Sequence, residues 1–89
     1  MIYAVDYSLR AIKELEKLDR HSLAILYGWI EKNLVGCDNP RLYGKPLVGD
    51  KKGLWRYRVG DYRIIADIQD SLVRIEIIRV GHRREVYDD

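Results

Sequence analysis

The amino-acid sequence predicts an α+β domain in which a helical hairpin packs on one face of an antiparallel sheet. Three observations support this fold class. Residues 2–7 are rich in β-forming side chains, residues 8–36 repeat apolar residues at helical spacing, and residues 54–80 contain three strand-like runs separated by turn signals. The chain has 89 residues and no internal repeat, so we expect one domain, 1–89, in the order βααβββ.

Two amphipathic helices are predicted between the first strand and the sheet. The first begins after Ser8, a suitable N-cap, and the second begins after Asp19 and ends near Gly36. The helices meet with almost no linker, which favours an antiparallel hairpin. The expected apolar stripes are Leu9, Ile12, Leu15 and Leu18 on the first helix, and Leu23, Leu26, Tyr27, Ile30 and Leu34 on the second, widened by Ile25 and Trp29.

The remaining strands follow an irregular segment, residues 36–52, which is punctuated by glycine and proline. They are expected at residues 54–59, 62–68 and 72–80. Gly60-Asp61 is a two-residue hairpin signal, and Asp70-Ser71 is the second predicted turn.

The composition narrows the classes of function. The chain is 47% hydrophobic and 34% charged, without an apolar run long enough for a membrane span, so we expect a cytoplasmic protein. Its single cysteine, Cys37, cannot form a disulfide within the chain, and it is expected to be a small, partly buried residue. His21 and His82 are far apart, and the acidic residues do not cluster, so neither a metal nor another cofactor is expected.

Although the net charge is only +2, residues 51–63 form a local basic cluster. If Gly60 and Asp61 form a two-residue turn, Arg58 lies opposite Arg63 across the hairpin and Arg56 lies opposite Ile65. Like charges in this register cost about 0.2–1 kcal/mol, so a bound anion such as an RNA phosphate explains them better than folding does. The alternative is that a loop acid such as Asp50 covers the cluster. The basic residues of this segment are Lys51, Lys52, Arg56, Arg58 and Arg63.

A different register is expected at the second hairpin. A two-residue turn at Asp70-Ser71 would place Asp67 opposite Arg74, an ordinary pair of opposite charges. The polar tail then follows the last strand with Arg83, Arg84 and Tyr87, a mixture of cations and an aromatic ring that suits single-stranded RNA. The alternative for Tyr87 is a ring that covers the edge of the sheet.

The segment Gly53-Leu54-Trp55-Arg56-Tyr57-Arg58-Val59-Gly60-Asp61-Tyr62-Arg63 resembles the signature of the RelE family of toxins. The ending Val80-Gly81-His82-Arg83-Arg84-Glu85-Val86-Tyr87 resembles the family's closing motif. Residues 15–19 and 40–47 are similar to the family's hairpin boundary and loop. Together these motifs span most of the chain in the family's order.

The resemblance implies the RelE fold and a toxin of a type II toxin–antitoxin pair, within the RelE/ParE superfamily. It implies a metal-independent endoribonuclease that cleaves messenger RNA in the ribosomal A site, by attack of the adjacent 2′-hydroxyl on the scissile phosphate. It also implies a cognate antitoxin as inhibitor, the ribosome and mRNA as further partners, and operator DNA as a target of the toxin–antitoxin complex.

The resemblance also assigns site residues. The catalytic set it implies is Arg56, Arg58, Arg63, Arg83 and Tyr87. Apart from the resemblance, Lys51, Lys52, His82 and Arg84 are the expected RNA-binding residues. Two of these positions depart from the family, because Arg56 and Arg58 stand where well-studied members have lysines. Arginine does not deprotonate, so it replaces a lysine only as a cation. The general base is left open between Tyr87, Glu85 and His82.

Two other functions compete with RNA cleavage. One is the ParE branch of the same superfamily, whose members poison DNA gyrase and tend to lack the basic sheet cluster and the terminal tyrosine. The other is a toxin without activity that serves as antitoxin partner and co-repressor. The like-charge cluster argues against inactivity, because a cluster that costs stability is not expected to persist without a ligand.

Overall fold

The computed structural model describes residues 2–49 and 53–82 of the chain. It contains two helices, α1 (Leu9–Glu16) and α2 (Arg20–Asn33). Five strands form one sheet in the order β1-β5-β4-β3-β2. The strands are β1 (Ala4–Tyr7), β2 (Lys45–Pro46), β3 (Trp55–Val59), β4 (Tyr62–Gln69) and β5 (Arg74–His82). The predicted α+β fold with a helical hairpin on the sheet is confirmed.

The sheet is mixed, however, and not antiparallel throughout. β1 pairs with β5 in parallel, whereas the other three pairings are antiparallel. Parallel neighbours need a long connection, and the helical hairpin with β2–β4 supplies it here. β2 is a further difference, because a two-residue strand inside an irregular segment has no periodicity to detect.

Both helices begin where the sequence predicts. The Ser8 hydroxyl accepts the Ala11 N–H at 3.0 Å, and Asp19 accepts the Ser22 N–H at 3.1 Å. The buried face of α1 differs from the predicted apolar stripe, because it contains Ala11 together with Leu15. The prediction that Leu9, Ile12, Ile25 and Tyr27 would be buried is wrong; these side chains are 68%, 40%, 48% and 38% exposed.

One main core lies between the helices and the sheet. Its sheet side comprises Tyr57, Val59, Ile64, Ala66, Ile75, Ile77 and Val80, and its helix side includes Leu15, Leu26, Ile30 and Leu34. Because side chains alternate along a strand, Arg56 and Arg58 of β3, Arg63, Ile65 and Asp67 of β4, and Glu76 of β5 point away from the helices. We call that surface the open face. A smaller apolar cluster, Leu47 and Ile65 with Leu54 and Ile78, lies on it.

The β4–β5 connection is longer than the predicted two-residue turn. A 3₁₀ helix, Asp70–Leu72, is followed by Val73 in a left-handed conformation with φ of 50°. The longer connection shifts the register, so Gln69 pairs with Arg74 and Asp67 pairs with Glu76. The predicted pairing of Asp67 with Arg74 is therefore wrong.

Candidate nucleic-acid interface

A basic cluster occupies one end of the open face. Val59 pairs with Tyr62 around the Gly60-Asp61 turn, and Gly60 adopts the positive φ of 60° that such a turn requires. Arg58 therefore lies opposite Arg63, as the sequence predicts, at the roughly 5 Å between Cβ atoms usual for such pairs. Arg56 follows two residues along β3, opposite Ile65.

Lys45 adds a fourth cation that sequence reasoning did not assign to the site. β2 pairs antiparallel with β3, and in this register Lys45 lies opposite Arg56. The cluster thus contains two cross-strand pairs of like charge on neighbouring strands. The signal for Lys45 was its place in the loop motif, but nothing in that motif indicates a strand pairing.

Two hydrogen bonds from side chains of β3, one of them buried, hold the loop before β2 against β3. The hydroxyl of Tyr57 donates to the carbonyl of Pro40 at 2.6 Å, and the indole N–H of Trp55 donates to the carbonyl of Tyr43 at 2.7 Å. Burial raises the pKa of the Tyr57 hydroxyl, which keeps it a donor. Gly44 fits between these groups because its φ is +83° and a Cβ there would collide with the backbone of Arg56.

A pocket of about 320 Å³ opens beside this loop, at the outer edge of β3. Its lining combines cations from the open face with aromatic rings from α2 and the loop. Trp29 and Tyr43 meet edge-on, with ring centroids 5.8 Å apart and planes at 69°. The lining residues are Trp29, Tyr43, Gly44, Lys45, Arg56 and Arg58.

His82 lies apart from the arginine cluster. It pairs with Tyr62 across the sheet, and the two rings meet edge-on at 5.8 Å. The hydroxyl of Tyr62 contacts Ser22 of α2 at 3.1 Å, so this pair is on the helix side of the sheet. Arg58 and Arg63 are on the open face, and the structure does not bring His82 together with them.

The end of β5 is anchored by Glu14 of α1. The Glu14 carboxylate accepts the backbone N–H of Val80 at 2.8 Å and the guanidinium of Arg79 at 3.1 Å. β1 pairs with β5 only as far as Ile77, so Val80 has no partner on β1. The Glu14 carboxylate accepts this edge N–H instead. Glu14 therefore anchors the end of β5 to α1.

Five of the residues expected in the site, Lys51, Lys52, Arg83, Arg84 and Tyr87, lie outside the described residues. So do Asp50, the proposed covering acid, and Glu85, an alternative base. Within residues 2–49 and 53–82, no group of three or more His, Cys, Asp or Glu side chains is arranged to hold a metal ion. Neither of the described helices is long and apolar enough to cross a membrane. Cys37 is partly buried, and burial raises the pKa of its thiol, which opposes a nucleophilic role.

Comparison with known proteins gives consistent relatives. A family described as the ParE toxin of the type II toxin–antitoxin system parDE matches residues 5–87. The chain is 34% identical to Toxin RelE of Mycobacterium tuberculosis over 85 residues, which are 96% of this chain and 86% of that toxin. It is 32% identical to Toxin RelG of the same organism over 87 residues, 98% of each chain.

Solved structures agree with these relatives. The structure is similar to the RelBE2 toxin–antitoxin complex from Mycobacterium tuberculosis, with a TM-score of 0.85, 30% identity, and coverage of 96% of this chain and 95% of that one. It is also similar to the isolated RelE toxin of E. coli, with a TM-score of 0.72, 26% identity, and coverage of 90% and 83%.

Proposed function

Because the chain belongs to the RelE/ParE superfamily of type II toxin–antitoxin toxins, we propose that it is an endoribonuclease that cleaves messenger RNA in the ribosomal A site. The observation that carries this proposal is the pairing of Arg58 with Arg63 on the open face. A second like-charge pair, Lys45 with Arg56, lies beside it. An RNA backbone supplies the negative charge that such a surface favours, since guanidinium groups bind phosphate oxygens two at a time.

The proposed reaction needs no metal. The 2′-oxygen attacks the neighbouring phosphorus, the bond from phosphorus to the 5′-oxygen breaks, and a 2′,3′-cyclic phosphate remains. A base takes the proton of the 2′-hydroxyl, and an acid protonates the leaving 5′-oxygen. Arg56, Arg58 and Arg63, joined by Arg83, stabilise the charge that develops on the phosphate.

The proposed base is Tyr87, with Glu85 as the alternative. Arginine is excluded from this role, because its guanidinium stays protonated. His82 is placed on the helix side with Tyr62, so we leave it out of the proposed acid–base set. Lys51, Lys52 and Arg84 are proposed to bind RNA phosphates around the site.

The proposed partners follow from the relatives. The Mycobacterium tuberculosis RelBE2 structure is a toxin–antitoxin complex, and E. coli RelE has been solved with an antitoxin RelB peptide. We propose that a cognate antitoxin inhibits this chain in the cytoplasm and that the complex binds operator DNA. The ribosome and its message are the proposed targets of the free toxin.

Induction of the chain in growing cells, with primer extension on a defined message, tests the proposal. We expect growth arrest and cuts in phase with codons, both lost in Arg58→Ala and Arg63→Ala and weakened in Tyr87→Phe. Arg20→Ala is the matched control, because Arg20 is an exposed arginine at the start of α2. Arrest with an intact message would overturn the proposal.

A second candidate, inhibition of DNA gyrase, is favoured by one observation: the matching family is described as the ParE toxin. Purified gyrase separates the two functions. If the gyrase poison is correct, the chain inhibits supercoiling of plasmid DNA and leaves the message intact. Codon-phased cleavage with unchanged supercoiling supports the ribonuclease.

A further inference from the structure

We propose that the pocket at the outer edge of β3 binds one nucleobase of the RNA, with Trp29 and Tyr43 as the residues that contact the base. This inference rests on the proposed ribonuclease function. It adds that the protein recognises a base of the RNA next to the bound phosphate. The pocket volume of about 320 Å³ is at the lower end of the roughly 300–1,000 Å³ range of ligand sites, which suits a single nucleotide unit.

The chemistry of the lining selects an anion that carries an aromatic ring. Three of the six lining residues, Lys45, Arg56 and Arg58, are cations, and none is acidic. Two more, Trp29 and Tyr43, are aromatic. A nucleotide combines a phosphate for the cations with a flat base for the rings, whereas a bare anion would leave the aromatic wall unused.

The two rings form a corner. Their planes meet at 69°, so a base that stacks on one ring presents its edge to the other. The ring of Trp29 also packs against the ring of Tyr57, with centroids 5.4 Å apart, and Tyr57 is fully buried. One wall of the corner is therefore rigid, while Tyr43 is 44% exposed and accessible to a ligand.

The pocket also lies at a part of the sheet edge that no strand among the described residues covers. β2 pairs only Lys45 and Pro46 with Arg56 and Trp55, so within the described residues β3 has no outer strand partner beyond Arg56. Backbone groups at a strand edge can form hydrogen bonds to a ligand, and Arg58 links this edge to the cluster opposite Arg63. The site continues from the proposed phosphate contacts into the corner.

Binding of small probes to the full chain tests this site without requiring cleavage. The chain has two tryptophans, Trp29 and Trp55, whose indole N–H resonances are separate reporters in NMR titrations. We expect nucleoside 5′-monophosphates to shift the Trp29 resonance and to bind about tenfold more tightly than ribose 5-phosphate, because base stacking strengthens binding. Equal affinities for the two probes, or an unchanged Trp29 resonance, would overturn the inference.

Tyr43→Ala should remove the advantage of nucleotides over ribose 5-phosphate, and Tyr43→Phe should retain it. Tyr27→Ala is the matched control, because Tyr27 is 38% exposed on α2, contacts Tyr7 and does not line the pocket. On a message in cells, Tyr43→Ala should still cut but at a changed distribution of sites.

The test keeps the two proposals distinguishable. A tenfold preference for nucleotides in a chain that cuts no message contradicts the ribonuclease and supports the base site. Cleavage of message by a chain without that preference contradicts the base site alone, as does an unchanged distribution of sites in Tyr43→Ala.

Discussion

The open face carries a like-charge pair at each end of β4, and neighbouring side chains make different contacts with the two pairs. At one end Asp67 lies opposite Glu76, and the amide of Gln69 donates to both carboxylates, at 2.9 and 3.4 Å. Arg74 donates to the carbonyl oxygen of Gln69 at 2.8 Å and forms an ion pair with Asp6 at 3.4 Å. The protein therefore supplies a shared hydrogen-bond donor for its acidic pair, and Arg74 holds that donor in place.

At the other end Arg58 lies opposite Arg63, with Lys45 and Arg56 alongside. Within residues 2–49 and 53–82, no ion pair to the exposed Arg58 is found. The difference teaches that like charges in a sheet do not by themselves mark a site. An acidic pair bridged by neighbouring side chains is a structural feature, whereas a basic pair that includes an exposed arginine, Arg58, suits a ligand from outside.

The largest expected effect comes from reversing one member of the basic pair. Arg58→Glu should lower cleavage by about 100-fold or more, the cost of removing one group that stabilises transition-state charge. It should also stabilise the fold by about 0.2–1 kcal/mol, because it converts a like-charge pair into an opposite-charge pair. Cleavage rates and urea unfolding measure the two effects.

Arg20→Glu controls for the change of net charge and should leave cleavage unchanged. A variant Arg58→Glu that cuts normally, or that is less stable than the wild type, would contradict the assignment of the basic pair to an external anion.

Inorganic phosphate should stabilise the fold by binding at the basic pair, Arg58 and Arg63, and not at the acidic pair. At a phosphate concentration ten times its Kd, the wild type should gain about 1.4 kcal/mol in free energy of unfolding, by linkage. Arg58→Ala should gain less, and Arg74→Ala should gain as much as the wild type. Phosphate also stabilises proteins by exclusion from their surface, so the readout is the difference between variants. An equal gain in Arg58→Ala and the wild type would show that the pair binds no phosphate.

Loss of the bridge at the acidic end should have a smaller effect. Gln69→Leu should destabilise the chain by about 1 kcal/mol, because the facing carboxylates lose a shared donor. Adding Asp67→Asn should restore most of that loss by removing one of the two charges, which a double-mutant cycle in urea measures. Additive losses in the double variant would mean that Gln69 does not act through the carboxylate pair.

The smallest expected effect is on the stability of the fold at acid pH. Hydrogen bonds from Arg41 and then from Tyr3 hold the pKa of the Asp70 carboxyl below its usual value. Stability from this group is present above the pKa of the unfolded chain and is lost as the pH falls through the lower folded pKa. Asp70→Asn should therefore lose less stability on acidification, in urea unfolding measured across the acid range. The group is exposed, so the change should be modest, and an acid slope equal to that of the wild type would show that the pair contributes nothing.

Local patterns predicted much of the fold and part of the site. Ser8 and Asp19 cap the two helices as expected, because capping depends on the few residues around each helix start. The pairing of Arg58 with Arg63 was predictable because a two-residue turn sets the register of its hairpin. The β4–β5 register was not, because the 3₁₀ helix at Asp70–Leu72 lengthens the connection without a distinctive sequence signal.

The exposed side chains Leu9 and Ile12 show the limit of periodicity. Their spacing fits a helix, but the face that α1 buries contains Ala11 and Leu15. Spacing defines which residues share a face, and packing against the sheet decides which face is turned inward.

The sequence by itself determined the element types, the helix starts and the cross-strand arginines, since these depend on neighbours along the chain. Only the tertiary structure decided that Trp29 and Tyr43 would meet at the edge of β3 and that Lys45 would pair with Arg56. It also separated His82 from the arginines, on the opposite face of the sheet. The physical reason is that packing around Tyr57 and hydrogen bonds from β3 side chains to loop carbonyls join residues distant in sequence, and no local pattern encodes those contacts.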